Sequence, residues 1–167
     1  AHFHYTFFPI AIIGTFAGLS FWFPKMFGRM MNDTLGKIHF WGTIIPFNCI
    51  FIPLFVLGAA GEHRRIFDYS MFSELARPEL RHLDQFATVS LLIMLSFQLV
   101  FFYNLITSLL WGPKAEKNPW QSNTLEWSAD SPPPHGNWPK LPTVYRGPYE
   151  YSTPGRDQDY WPQNVPN

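Results

Sequence analysis

The sequence predicts an all-α integral membrane protein, with three transmembrane helices followed by an extended, proline-rich tail. Three observations predict it. The 167 residues contain three runs free of Asp, Glu, Lys and Arg, at 2–24, 38–61 and 85–111, and each is as long as the ~20 apolar residues that a helix needs to cross a bilayer. The composition then changes: residues 112–167 are polar and proline-bearing, with no apolar period. Aromatic residues make up 19% of the chain, with 17 Phe and 7 Trp, which suits the aromatic belts of membrane proteins better than a soluble core.

The 12 basic and 12 acidic residues cancel, so charge points neither to nucleic acid nor to acidic substrates. The single cysteine, Cys49, lies inside the second run. It excludes a disulfide within the chain and reads as an inert packing residue. The first run lacks a basic n-region and a small-residue cleavage site, so it does not read as a signal peptide. The chain opens abruptly inside its most chemically loaded run, and the expectation is a fragment or a split subunit of a longer protein.

The first run opens on His2-Phe3-His4. A histidine in a membrane span is costly and is a functional candidate by default. On a helix each residue turns about 100°, so His2 and His4 point about 200° apart. They cannot share one metal on one face, but each can hold a different metal, with Phe3 between them. A helix that ligates two haems back to back has this pattern. The plainer alternative is that each histidine is an interhelical hydrogen-bonding group. Farther along, Pro9 removes a backbone donor and is expected to kink the helix, Gly14 and Gly18 allow a neighbouring helix to approach, and Trp22-Phe23-Pro24-Lys25 closes the span at an interface.

A polar turn, residues 25–37, leads to the second run, which carries Pro46 and Pro53 and is long enough to cross with some tilt. A charged loop, residues 62–84, contains Glu62-His63-Arg64-Arg65 and precedes the third run. Three crossings place this loop on the side of His2 and His4, and the 25–37 turn and the tail on the other. The positive-inside rule puts Lys25, Arg29 and Lys37 in the cytoplasm, and the arginines of the 62–84 loop then violate it. Alone, Arg64 and Arg65 read as interfacial snorkellers. Beside the histidine pair they read as partners for haem propionates, because a guanidinium fork matches a carboxylate. The tail carries Trp120, Trp127, Trp138, Tyr145, Tyr149, Tyr151, Tyr160 and Trp161. That aromatic content favours docking on a partner surface over plain disorder.

Ala1-His2-Phe3-His4-Tyr5 resembles the A-H-F-H-Y signature of subunit I of the haem–copper oxidases of the cytochrome c oxidase type. The resemblance continues in order through FWFPKMFGRMMNDTLGKIHFW, GEHRR, NPWQSNTLEW, SPPPHGNW and VYRGPYEYSTPG, the last resembling bacterial members more than mitochondrial ones. It implies that residues 1–111 are the last three helices of a larger haem-binding bundle and 112–167 its tail. It implies that His2 is the proximal ligand of the high-spin haem a3, that His4 is an axial ligand of the low-spin haem a, that Phe3 lies between the rings, and that Arg64 and Arg65 contact propionates. Glu62-His63 stands where many members have a less polar pair. The resemblance also implies a complex that includes CuB, whose ligands are absent from this sequence. The implied partners are the rest of subunit I, subunits II and III, membrane lipid, and cytochrome c as electron donor. The implied location is the bacterial cytoplasmic (inner) membrane, with the tail on the cytoplasmic side. A quinol oxidase of the same superfamily, and a cofactor-free assembly subunit, are the alternatives.

The other polar residues read as structural. His39 is expected to hydrogen-bond at the inner mouth of the second span, and Tyr5 and Thr6 to donate in helix packing. His63 and His82 are expected to be solvated or near partner subunits, and Asp68, Glu74 and Asp84 to be solvated loop charges, while His135 has no ligand spacing to any other residue.

Overall fold

A computed structural model of the chain describes residues 1–63, 65–68 and 77–166. Among these residues the regular structure is helical, and the single β-bridge joins Arg29 to Lys114. Three helical stretches, His2–Phe27, Asp33–Ala59 and Pro78–Trp111, are long and apolar enough to cross a membrane. The chain divides into two compact units, one of residues 1–17 and 32–106, the other of residues 18–31 and 107–167.

The first stretch is α1 (His2–Phe8), one π-helical turn (Pro9–Ile13) and α2 (Gly14–Phe27). Pro9 has no N–H to give, yet its backbone stays helical at φ −60 and ψ −43. The chain absorbs it by widening: the Gly14 N–H bonds five residues back, to the Pro9 carbonyl. This is a π-bulge, one of the usual ways a helix accommodates a proline.

α3 (Asp33–Ala59) and α4 (Arg81–Trp111) complete the spans, α4 following a 3-10 turn at Pro78–Leu80. The helices reach beyond the uncharged runs 2–24, 38–61 and 85–111 at several ends. Charge marks the edge of the bilayer, whereas capping sets where helical hydrogen bonding stops. Asn32 caps α3 by accepting the Leu35 N–H at 3.0 Å, and Asp33 in the first turn favours the positive helix end and pairs with Lys37. At the far end the Gly61 N–H meets the Gly58 carbonyl at 3.2 Å and the Glu62 N–H meets Leu57 at 3.0 Å. Gly61 has φ +103, so the sequence Gly58-Ala59-Ala60-Gly61-Glu62 closes α3 with a Schellman motif.

In the first unit, Phe47, Ile50 and Met94 form the buried centre, with Tyr5, Phe8, Ile44, Phe51 and Leu54 packed against it. α3 and α4 meet closely at Gly42, where a Cβ would lie 2.1 Å from the Phe97 ring. His39 is buried there, its Nε2 3.1 Å from Gln98 Oε1, and Gln98 Nε2 donates to Thr43 at 3.1 Å. His39 is therefore a buried partner of α4, between the rings of Phe16 and Phe101, rather than an interfacial group.

In the second unit the tail folds onto the ends of α2 and α4. Lys25 is buried and its Nζ donates to the carbonyls of Ala129 (2.7 Å), Lys117 (3.1 Å) and Asp130 (3.4 Å), above the Trp127 ring. Met30 and Ala115 donate to the carbonyls of Pro113 and Gly28, both at 2.9 Å. Gly28 has φ +64, and a Cβ there would meet Pro132 at 2.9 Å, so the turn and the tail both require glycine. Trp127 and Asn123, each 1% exposed, are the tail's buried centre.

Candidate functional site

α1 carries the candidate residues, and Tyr5 fixes which side of it faces α3. The Tyr5 hydroxyl donates to Asn48 Oδ1 at 2.7 Å, and its ring touches Phe47, Phe51 and Phe55. With Tyr5 at zero, the helical turn of about 100° per residue puts His4 at about −100°, Phe3 at about 160° and His2 at about 60°. The two imidazoles thus flank the α3 side, and Phe3 bisects the wide arc between them. The ring contacts agree. His2 is edge-on to Phe55 at 6.5 Å, and His4 stacks on Phe51 at 6.3 Å with 9° between planes. Phe55 and Phe51 are one turn apart on α3, so each histidine leans on its own phenylalanine. Phe3 is 65% exposed and stacks on Phe7.

Both imidazoles are exposed, and among the described residues neither is engaged in a hydrogen bond or ion pair. A ring nitrogen on each is therefore open to a metal. This donor set fits one axial imidazole for each of two haems on opposite sides of α1, and it does not assemble a single-metal site: no cluster of three or more His, Cys, Asp or Glu exists among the described residues.

Beyond α3, Arg65 is exposed and adopts φ +61, a left-handed conformation that costs any residue bearing a Cβ. Arg64, its companion in the sequence reading, lies outside the described residues, as does Glu74. His63, His82, His135 and Asp68 are exposed. Asp84 departs from its expected solvated state: it sits in the first turn of α4 with Oδ2 buried and unpartnered among the described residues, as is Glu62 Oε1. Burial, and secondarily the charge of Asp84, push the Glu62 carboxyl up from its ordinary range.

Sequence reasoning missed the His39–Gln98–Thr43 chain. The available signal was Gln98, an amide in the middle of the third apolar run, and the i,i+4 spacing of His39 and Thr43. It also missed Lys25, whose position next to the aromatic end of α2 reads equally well as a snorkelling lysine.

The arrangement defines a multi-span membrane protein whose first helix offers two opposed, uncommitted imidazoles. Residues 1–96 match the family model of cytochrome c and quinol oxidase polypeptide I, and the chain belongs to that family. It is 44% identical over 168 residues to the alternative cytochrome c oxidase subunit 1 of Bradyrhizobium diazoefficiens, covering 99% of this chain and 28% of that one. It is 37% identical to cytochrome c oxidase subunit 1 of Thermostichus vulcanus, over 95% of this chain and 27% of that one, and 38% identical to that of Synechocystis sp., over 90% and 26%. The chain thus spans about a quarter of the length of the curated relatives it matches.

Proposed function

We propose that this chain is the C-terminal part of subunit I of a proton-pumping cytochrome c oxidase, in which His2 ligates the high-spin haem a3 and His4 the low-spin haem a. The observation that carries the reading is the divergence of two uncommitted imidazoles about Phe3, in a chain of the polypeptide I family. Bound there, the haems supply electron transfer and, with CuB held by residues outside this sequence, reduction of dioxygen to water. The chain's own residues present and orient. Phe51 and Phe55 support the two imidazole planes, which restricts their rotation and favours a fixed metal-facing nitrogen. The Tyr5–Asn48 hydrogen bond sets the rotation of α1 about its axis, and so the direction of both histidines together. Phe3 fills the arc between the two haem sides with an apolar ring that excludes water. Arg65, with Arg64, is assigned to the propionates.

In this reading the exposed apolar faces of α1 to α4 are covered by the rest of subunit I, by subunits II and III and by lipid. The protein resides in the bacterial cytoplasmic membrane, with the tail on the cytoplasmic side and cytochrome c as donor. A quinol oxidase would use the same haem-holding residues, and steady-state turnover with each donor separates the two. The ligand assignment is tested by reduced-minus-oxidised spectra of the intact complex. His4→Ala is expected to remove the low-spin haem signal and His2→Ala the high-spin one. Normal spectra for both haems in both variants would refute the assignment.

A further inference from the structure

A groove of about 510 Å³ runs along α3 past Ile38, Trp41 and Ile45, beside Phe97 of α4, with Thr34 and Lys37 at one end. Its surface is almost wholly apolar, and its volume falls within the ~300–1,000 Å³ of ligand clefts. Gly42 lets the Phe97 ring reach α3, since a Cβ there would lie 2.1 Å from it.

Helical geometry gives the side of α3 that the groove occupies. Phe47, Asn48, Phe51 and Phe55 touch Tyr5 of α1. His39 and Thr43 join Gln98 of α4. With Phe51 at zero and about 100° per residue, the α1 contacts lie between about −40° and 60°, and His39 and Thr43 at about −120° and −80°. Trp41, Ile45 and Ile38 lie at about 80°, 120° and 140°. The groove thus opens on a third side of α3, and Trp41 and Ile45 are 59% and 56% exposed there.

The charges at its end select the occupant. Asp33 and Lys37 pair across one turn, with their side chains 80% and 71% exposed. An ammonium has three donors and a carboxylate about four acceptor positions, so each keeps room for a second partner. Lys37 borders the uncharged run, and Asp33 stands four residues farther out, about 6 Å along the axis. Trp41, one turn inward from Lys37, sits at the depth of an aromatic belt. From the outside of the bilayer inward, this side of α3 therefore reads negative, positive, apolar. A phosphatidylethanolamine reads positive, negative, apolar in the same direction: ammonium, phosphate, acyl chain. A purely anionic headgroup has no cation for Asp33, and a choline headgroup has no N–H to give its carboxylate. We propose that one phosphatidylethanolamine seats on this side of α3, with its acyl chain along Trp41, Ile45 and Phe97, its phosphate on Lys37 and its ammonium on Asp33.

The test uses the intact membrane complex in nanodiscs of phosphatidylethanolamine, phosphatidylcholine and phosphatidylglycerol in equal parts. Each lipid in turn carries a diazirine in its acyl chain, and mass spectrometry counts the label on the peptides of Trp41, Ile45 and Phe97 after illumination. In the wild type phosphatidylethanolamine is expected to label these peptides about fivefold more than either other lipid, the upper end of what one exposed ion pair gives. Asp33→Asn removes the ammonium's partner and frees Lys37, so the preference is expected to pass to phosphatidylglycerol. Lys37→Gln is expected to lower labelling by all three lipids about threefold. Both side chains are exposed, and elution of the variants by size exclusion is expected to match the wild type. Absence of label from Trp41 and Ile45 in the wild type overturns the proposal, because protein then covers this side of α3. Equal labelling by the three lipids also overturns it, leaving ordinary solvation by the bilayer, as does an unchanged preference in Asp33→Asn.

Discussion

Glu62 follows the end of α3 with Oε1 buried and, among the described residues, unpartnered. Its carboxyl is raised first by burial and second by the charge of Asp84. A raised carboxyl means that the folded protein holds the proton more tightly than the unfolded chain does. Stability is then lost as the pH rises from the ordinary carboxylate range through the raised folded value, and the loss persists at neutral pH. Glu62→Gln removes the ionisation and keeps the shape. It is expected to melt higher than the wild type at pH 7, with the difference shrinking as the pH falls to about 4, where Glu62 is itself protonated. Equal melting at pH 7 would mean that a group elsewhere in the protein already neutralises Glu62. The sequence listed Glu62 as one of four polar residues in a row, and nothing in that run tells a solvated carboxylate from a half-buried one. Burial depends on where α4 begins, which is set by tertiary packing.

The helical elements were largely legible, because each span leaves an uncharged run and the ends of α3 leave capping residues: Asn32 before it, and Gly58 to Gly61 at its end. Pro9 was legible as a disturbance, but its form was not. A π turn and an open kink both answer a missing N–H, and the sequence around Pro9 does not distinguish them. The tail was the least legible element, since its buried polar residues, Asn123 and Gln163, look like loop composition. Its attachment depends on Lys25, whose ammonium donates to three carbonyls of the tail. Lys25→Met keeps much of the volume and removes the donor to the Ala129 carbonyl, whose bond is buried, while the Lys117 carbonyl keeps Ser131 Oγ. A buried unsatisfied group costs about 1–3 kcal/mol, enough to loosen the tail without unfolding the spans. The expected outcome is cleavage between residues 112 and 140 by a protease that leaves the wild-type protein intact. If the tail resists equally in both, then the aromatic contacts of Phe21 with Trp120 and Trp127 hold it unaided.

At the scale of the molecule, the exposed phenylalanines, leucines and isoleucines along all three spans match a chain that spans about a quarter of its relatives' length. The haem assignment therefore has to be judged in the complete protein, and the arginines give the sharpest case. Arg65 is exposed at the start of the loop that follows α3, held at φ +61, and Arg64 precedes it. In the proposed complex the two guanidiniums sit beside ionised propionates in a partly water-excluded region. Positive charge near a haem favours the reduced iron, which carries one positive charge fewer, and so raises its potential. The same charge favours the ionised propionate and keeps it deprotonated. Removing one arginine strands a carboxylate at a cost of about 3–5 kcal/mol if it is fully buried, and much less if water enters. The propionate meets part of that cost by taking up a fraction of a proton, which offsets only part of the lost positive charge. Arg64→Gln and Arg65→Gln are therefore expected to lower the potential of the nearer haem and to impair proton release more than haem content. Arg→Lys at either position is expected to be milder, because it keeps the charge and loses only the bidentate fork. Redox titration of both haems, with protons released per electron measured in the same preparations, decides the matter. If both Gln variants keep unchanged potentials, the arginines serve as interfacial anchors and the propionates find their partners elsewhere in the protein.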